Sequence, residues 1–214
     1  MITSFDKPII LIGGGGHSKV LIDALNCLKT NILGIVDPHL NVGSLVLGIK
    51  VLGDDEVLKD FNCNQIELVN AIGIIPHRLF RLDISKKFVN QGYKFKKVTH
   101  PSAIVASSAK IGNGVQILAG SVIQSSVTIG DDCIINTGAL IDHDCMIGKG
   151  CHVAPGVTLC GGISIDENTF IGAGSTVIQN VSIGSNCTIA AGSIIYKDIP
   201  DKTTVIQKRI NIYH

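Results

Sequence analysis

The chain has 214 residues, seven cysteines, no tryptophan and a formal net charge of +1, with charged residues at 16%. That length admits one large or two modest domains. The near-neutral balance without a basic stripe disfavours nucleic acid and anionic membrane as main partners, and no apolar run reaches the roughly 18 residues of a membrane span. Met1 to Lys7 lacks the basic-then-apolar order of a signal segment, so the expected location is cytoplasmic.

In chain order, Ile9 to Ile12 reads as a buried strand. Gly13-Gly14-Gly15-Gly16-His17-Ser18-Lys19 follows, then a helix to about Leu28 whose Val20, Leu21, Ala24, Leu25 and Leu28 share one face. Ile32 to Val36 is a second strand ending in Asp37-Pro38. Val51 to Asp54 leads into a short helix carrying Val57, Leu58 and Phe61. Glu67 to Ile74 reads as a third main strand closing near Gly73, Arg78 to Asn90 as a helix, and Tyr93 to Val98 as a last strand. Strands alternating with helices predict an open parallel α/β sheet of Rossmann type over residues 1–100.

The glycine turn departs from the dinucleotide fingerprint G-x-G-x-x-G, because counting from Gly13 the final place holds Ser18; NAD is therefore disfavoured. A glycine turn entering a helix still offers free backbone N–H groups and a positive dipole end to an anion, or it is simply a tight link. His17 is placed either to donate to a ligand or to cap the helix. Asp37 ends the second strand about twenty residues past the glycines, where an acid often meets a sugar hydroxyl.

Residues 101–214 carry a different pattern. From Val105 through Ile111, Ile117 and onward to Ile195, an aliphatic residue returns at every sixth position without a slip. Four residues after each sits a second, mostly small residue, such as Ala109, Ser121, Cys133, Ala139 and Cys145. One large and one small inward position per six residues describe a flat strand and a tight corner, and three flats close a triangular coil of eighteen residues, about five coils in all. The corner residues, two after each aliphatic, include His143, Gly161, Ala173 and Ala191. Cys133, Cys145, Cys151 and Cys187 occupy the small inward position as compact hydrophobes, and no CxxC pair occurs to suggest a metal cluster.

Chemistry concentrates at Asp142-His143-Asp144, where a corner histidine lies between carboxylates that favour its imidazolium and raise its basicity. A solvated turn is the plain alternative. His152, nine residues on, belongs to another corner, so the two histidines do not converge within one chain. A three-histidine zinc site built from His100, His143 and His152 is too scattered, and Cys160 offers only a remote acyl-cysteine route.

Ile10 to Lys19, the Thr99-His100-Pro101-Ser102-Ala103 hinge, Ile135-Asn136-Thr137-Gly138, and Ile141 to Cys145 followed by Cys151-His152-Val153 together resemble the hexapeptide-repeat sugar O- and N-acetyltransferases, over about residues 7 to 200. The resemblance implies a left-handed parallel β-helix for the second region, a homotrimer with inter-subunit active sites, and acetyl-CoA as co-substrate without a metal. It implies His143 as general base and Asp144 as its acidic partner. Gly15, Gly16, His17, Asp37, Pro38, Gly73 and Asn136 would hold a nucleotide-activated amino sugar, and His152, Ala173 and Ala191 would line acetyl-CoA. The implied reaction is acetylation of the 4-amino group of a UDP-linked deoxyamino sugar, with GDP-perosamine N-acetylation and sialic acid O-acetylation as alternatives. The C-terminal Val205-Ile206-Gln207-Lys208-Arg209-Ile210 replaces the family's Gly-x-Pro-Ala segment, which leaves the contacts to the adenine end open.

Overall fold

A computed structural model describes residues 7–76 and 80–206. Strand β1 (Ile9–Ile12) lies fully buried within the N-terminal sheet, flanked in parallel by β2 (Ile32–Val36) and the edge strand β5 (Glu67–Asn70). Next to β2 come β4 (Ile49–Gly53), also parallel, and β3 (Leu45–Val46), which pairs antiparallel with β4 at the edge. The expected open parallel sheet thus holds apart from this hairpin edge. Helix α1 (Gly16–Cys27) buries Leu21, Ile22, Ala24 and Leu25, while Val20 and Leu28 of the expected apolar face stay exposed.

Three expected elements differ. The segment at Val57 is a 3₁₀ turn, Asp55–Asp60, held at its start by the Asp54 carboxylate accepting from the Glu56 N–H. Strand β5 stops at Asn70, whose side chain turns inward to bond the Arg81 carbonyl and the Ser85 hydroxyl. Helix α2 is Phe80–Asn90; the expected start at Arg78 lies outside the described residues. Instead of a strand over Tyr93 to Val98, Phe95 makes one bridge to Leu68, and Val98–Thr99 already belongs to the repeat, pairing with Gln116–Ile117.

The second region is a left-handed parallel β-helix. Among the described residues, eighteen two-residue strands fall into three sheets, here called face I (Ile104–Val105 to Ile194–Ile195), face II (Lys110–Ile111 to Ser182–Ile183) and face III (Val98–Thr99 to Thr204–Val205). Three strands to a coil make six coils, one more than the sixteen hexads alone supply. Strands pair in register with the one eighteen residues on, as in Val122 with Leu140 and Leu140 with Thr158, until the last coil, where Thr188–Ile189 pairs with Thr204–Val205 sixteen residues on. From Ile117 to Ile195 no member of the large inward series exceeds 3% exposure; Val105 and Ile111, on the end coil, are half-buried.

The small inward position does more than fill space. Cys133, Cys145, Cys151 and Thr169 each donate to the carbonyl fifteen residues ahead, on the next coil, and Ser121 and Ser175 do the same. A thiol here acts as a weak donor as well as a hydrophobe, because a corner carbonyl faces inward and buried acceptors need partners. Three residues after each large aliphatic, from Gly114 to Gly192, φ lies between 57° and 70°, and those fourteen places hold only Gly, Asn, Asp or Ser. Such residues tolerate the left-handed region that closes each corner.

Replacing Ile135, fully buried mid-prism, with alanine is expected to cost about 2–5 kcal/mol. A lowered denaturant midpoint measures it.

Face III is where the two regions meet. Its outward residues Gln116 and Ile134 are 1% and 0% exposed because α1 and the sheet lie over them, and Leu118 and Ile134 join a core with Leu21, Leu25 and Val98. Face I, by contrast, turns Ile104, Leu140 and Ile194 to solvent.

Candidate active site

His143 stands at the corner between faces I and II. Its backbone N–H donates to the Asp142 carboxylate at 2.8 Å, which pins the corner, and its ring Nδ1 lies 2.8 Å from the Asp144 carboxylate. Asp144 occupies the left-handed corner place (φ 59°), so one residue both closes the turn and presents an acid to the ring. That bond above all, followed by the charge of Asp142, raises the pKa of His143. The Nδ1–H donates to Asp144, leaving the Nε2 lone pair free. The ring lies in a shallow groove of about 580 Å³ with Cys160, Gly161, Gln179 and Asn180.

His17 and His152 have a different environment. The Gln116 amide donates to the Asn70 carbonyl at 2.7 Å, so its oxygen accepts from His17 Nε2 at 2.7 Å. Burial lowers the pKa of His17 to about 4, against the Gln116 bond, which acts the other way. His152 is not at a corner but on the flat of face III, 9% exposed beneath the N-terminal region, edge-on to Phe170. This corrects the corner expectation: the residue just before an inward aliphatic points out from a strand. Asn136 Oδ1 accepts from the Thr137 N–H, so its amide nitrogen donates to His152 Nε2 at 3.1 Å and the ring proton sits on Nδ1. Burial first, then the neighbouring His17 and Arg81, lower its pKa to about 3. Both imidazoles are therefore neutral at ordinary pH. Of the three, only His143 combines exposure with raised basicity.

The glycine turn is held from below. Both Asp37 oxygens accept from backbone, one from Gly14 N–H at 2.7 Å and the other from His39 N–H at 2.8 Å. Gly15 precedes α1 without a side-chain cap, and Ser18 Oγ turns back to the Gly15 carbonyl. A Cβ at Gly15 or Gly16 would touch nothing within 4 Å, and neither φ is left-handed. Nothing among the described residues asks for glycine there, whereas close approach of a ligand to the backbone would. Pro38 is exposed beside the turn, and Gly73 backs onto His17, its added Cβ falling 3.7 Å from that residue's Cβ.

Ala173 and Ala191 stack with Pro155 at the corner between faces III and I, joined by the Gly192 N–H to Ala173 carbonyl bond at 2.8 Å. The structure thus gathers His17, Asn136, His152 and Gly73 at the junction of the two regions, and places His143 with Asp144, and Ala173 with Ala191, on the two opposite edges of face I. Lys208 and Arg209 lie outside the described residues. Among the described residues no group of three or more His, Cys, Asp or Glu is placed to hold a metal ion, and no helix is long and apolar enough to cross a membrane.

Sequence reasoning missed Gln116, which sets the His17 tautomer, and Arg81, 2% exposed and donating to the Asn70 and Ile72 carbonyls. The outward places of face III mix apolar and polar residues, Val98, Gln116, Ile134, His152, Phe170 and Thr188, so no local pattern marked the first, and none marked the second.

An α/β domain with a glycine turn, joined to a hexapeptide prism with an acid-flanked corner histidine, defines an acetyltransferase of the β-helix class. The family profile for the PglD N-terminal domain matches residues 8–84, and that for bacterial transferase hexapeptide repeats matches residues 108–143, 126–161 and 162–197. A histidine-to-alanine mutant of GDP-perosamine N-acetyltransferase from Caulobacter crescentus, crystallised with CoA and GDP-perosamine, is 36% identical over 94% of this chain and 93% of that one, with a TM-score of 0.86. The acetyltransferase domain of PglB from Neisseria gonorrhoeae, crystallised with acetyl coenzyme A, is 33% identical over 93% and 95%, also with a TM-score of 0.86. No curated protein sequence matches. The chain belongs to the hexapeptide-repeat sugar acetyltransferases, enzymes that use acetyl-CoA.

Proposed function

We propose that the protein transfers the acetyl group of acetyl-CoA to the 4-amino group of a nucleotide-linked deoxyamino sugar, UDP-linked in the first instance, with His143 as general base. The observation that carries this is the His143–Asp144 pair, open to a groove and made more basic, while His17 and His152 are buried and neutral. The sugar amine attacks the thioester carbonyl carbon as Nε2 of His143 removes its proton. Asp144 and Asp142 stabilise the imidazolium. The tetrahedral intermediate collapses with cleavage of the carbon–sulfur bond, and the imidazolium returns the proton to the departing thiolate of CoA. No covalent acetyl-enzyme is needed, since holding both substrates together supplies much of the acceleration.

Gly15, Gly16 and His17, supported by Asp37, Pro38, Gly73 and Asn136, hold the nucleotide sugar. His152 with its Nδ1–H, and the small corners Ala173 and Ala191, line acetyl-CoA. His143 lies on one edge of face I and Ala173 and Ala191 on the other, so the complete site requires a second copy. The exposed apolar row of face I, bounded by the His143 edge on one side and the Ala173 edge on the other, supports a homotrimer. Acetyl-CoA supply places the reaction in the cytoplasm.

A GDP-linked acceptor is the second reading, favoured by the similarity to the enzyme crystallised with GDP-perosamine. Thiol release from acetyl-CoA with UDP-4-amino sugars, GDP-perosamine and sialic acid decides among acceptors. Tight nucleotide-sugar binding without release from any of them would leave a non-catalytic binder. Asp37→Ala removes a charged acceptor of two backbone bonds, a loss of about 1.5–3 kcal/mol for a bond of this kind. It is expected to raise KM for the sugar nucleotide about tenfold or more while sparing KM for acetyl-CoA, as read by initial rates.

A further inference from the structure

Position 161 follows His143 by eighteen residues and therefore lies directly beneath it, one coil on, at the same corner. The Gly162 N–H donates to the His143 carbonyl at 2.9 Å, and the Asn180 N–H to the Gly161 carbonyl at 3.0 Å, which ties the three coils in register. A Cβ built on Gly161 would lie 2.6 Å from Cε1, 2.7 Å from Nε2 and 3.2 Å from Nδ1 of His143. The imidazole thus rests across the space where any other residue would carry its side chain. Backbone conformation does not ask for glycine at this place, since Gly161 is not left-handed; the left-handed corner residue is Gly162, with φ 70°. Gly112, Gly130 and Gly148, one place earlier in their hexads, would collide with the backbone of the next coil instead. At Gly161 the obstacle is the candidate base itself.

We propose that Gly161 is a positioning residue for the general base: its missing side chain is the seat that lets the His143 ring keep its bond to Asp144 and point Nε2 along the groove. The inference rests on the reading of His143 as the base. An alanine methyl can be accommodated only by rotating the ring about χ1 or χ2, since the coil backbone beneath it is tied on both sides. That rotation opens the 2.8 Å contact with Asp144. The titratable groups facing the ring are Asp142 and Asp144 on its own coil and Cys160 on the coil below. Losing the Asp144 contact therefore removes the main support for the protonated ring and leaves Asp142 as the remaining acidic neighbour.

The test is Gly161→Ala in the full-length protein, read in three ways. The expected results are a kcat lowered about 10- to 100-fold with both KM values within about threefold of the parent, an NMR titration of the His143 ring shifted to lower pH, and a lowered Tm. Unchanged kcat together with an unchanged ring titration would overturn the proposal. A double-mutant cycle with His143→Ala guards against a general folding defect, because Gly161→Ala should lower Tm only while His143 is present. An equal loss of Tm in both backgrounds would show that the glycine serves the coil rather than the ring, and would also overturn it. An active His143→Ala enzyme would remove the base assignment and the kcat expectation with it, yet the ring titration and the Tm cycle would still report on the seat independently.

Discussion

Replacing His143 with alanine is expected to lower kcat by two decades or more while acetyl-CoA binding stays within about twofold, because general-base assistance is worth roughly 10²- to 10⁴-fold and the side chain is not the cofactor's main contact. The pH profile gives the same residue a second signature. A base works in its neutral form, and His143 has its pKa raised, first by the Asp144 hydrogen bond. The rate therefore rises with pH through that raised value and is lost below it, so the acidic limb of kcat lies above the ordinary histidine range. Asp144→Asn keeps a residue that tolerates φ 59° and removes the charge. The limb should then move to lower pH and the plateau should fall. A limb that does not move in the asparagine variant would separate Asp144 from the base, and near-normal turnover in His143→Ala would end the assignment.

The second large effect concerns assembly. Ile104→Glu combined with Val122→Glu places two carboxylates side by side on face I, where Ile104 is 65% exposed and pairs in register with Val122. Both side chains point away from the core, so each prism should fold. Burying unpaired charge in a subunit contact costs several kcal/mol per ion, more than such a contact ordinarily has to spare. The expected outcome is a monomer by sedimentation, with turnover reduced a hundredfold or more although neither substitution touches His143. A monomeric variant with full turnover would show that one chain holds a complete site.

Much of the second region was legible before any coordinates. The unbroken series from Val105 to Ile195 and the small residues four places on gave the inward face, and those residues are the core. The left-handed corner place was equally legible but went unread: fourteen consecutive hexads hold only Gly, Asn, Asp or Ser three places after the aliphatic. Reading it would have explained why an aspartate, rather than any other acid, stands at 144. The N-terminal strands were read correctly where they are buried on both faces, as at Ile9–Ile12. They were read too long where a polar side chain ends them, as at Asn70, and the expected strand over Tyr93 to Val98 hid the true start of the repeat.

Period, inward residues and corners follow from the amino-acid order alone, because from Val98 to Ile195 each strand's neighbour in the sheet lies eighteen residues away and each hexad repeats the same local problem. How the α/β region seats itself on face III follows from no period. That docking buries His17 and His152, settles their tautomers through Gln116 and Asn136, and drives both rings neutral, while the seat at Gly161 emerges only when one coil is laid upon the next. Desolvation and steric fit depend on which surfaces meet in space, and those surfaces come from segments about a hundred residues apart, as His17 and Gln116 are.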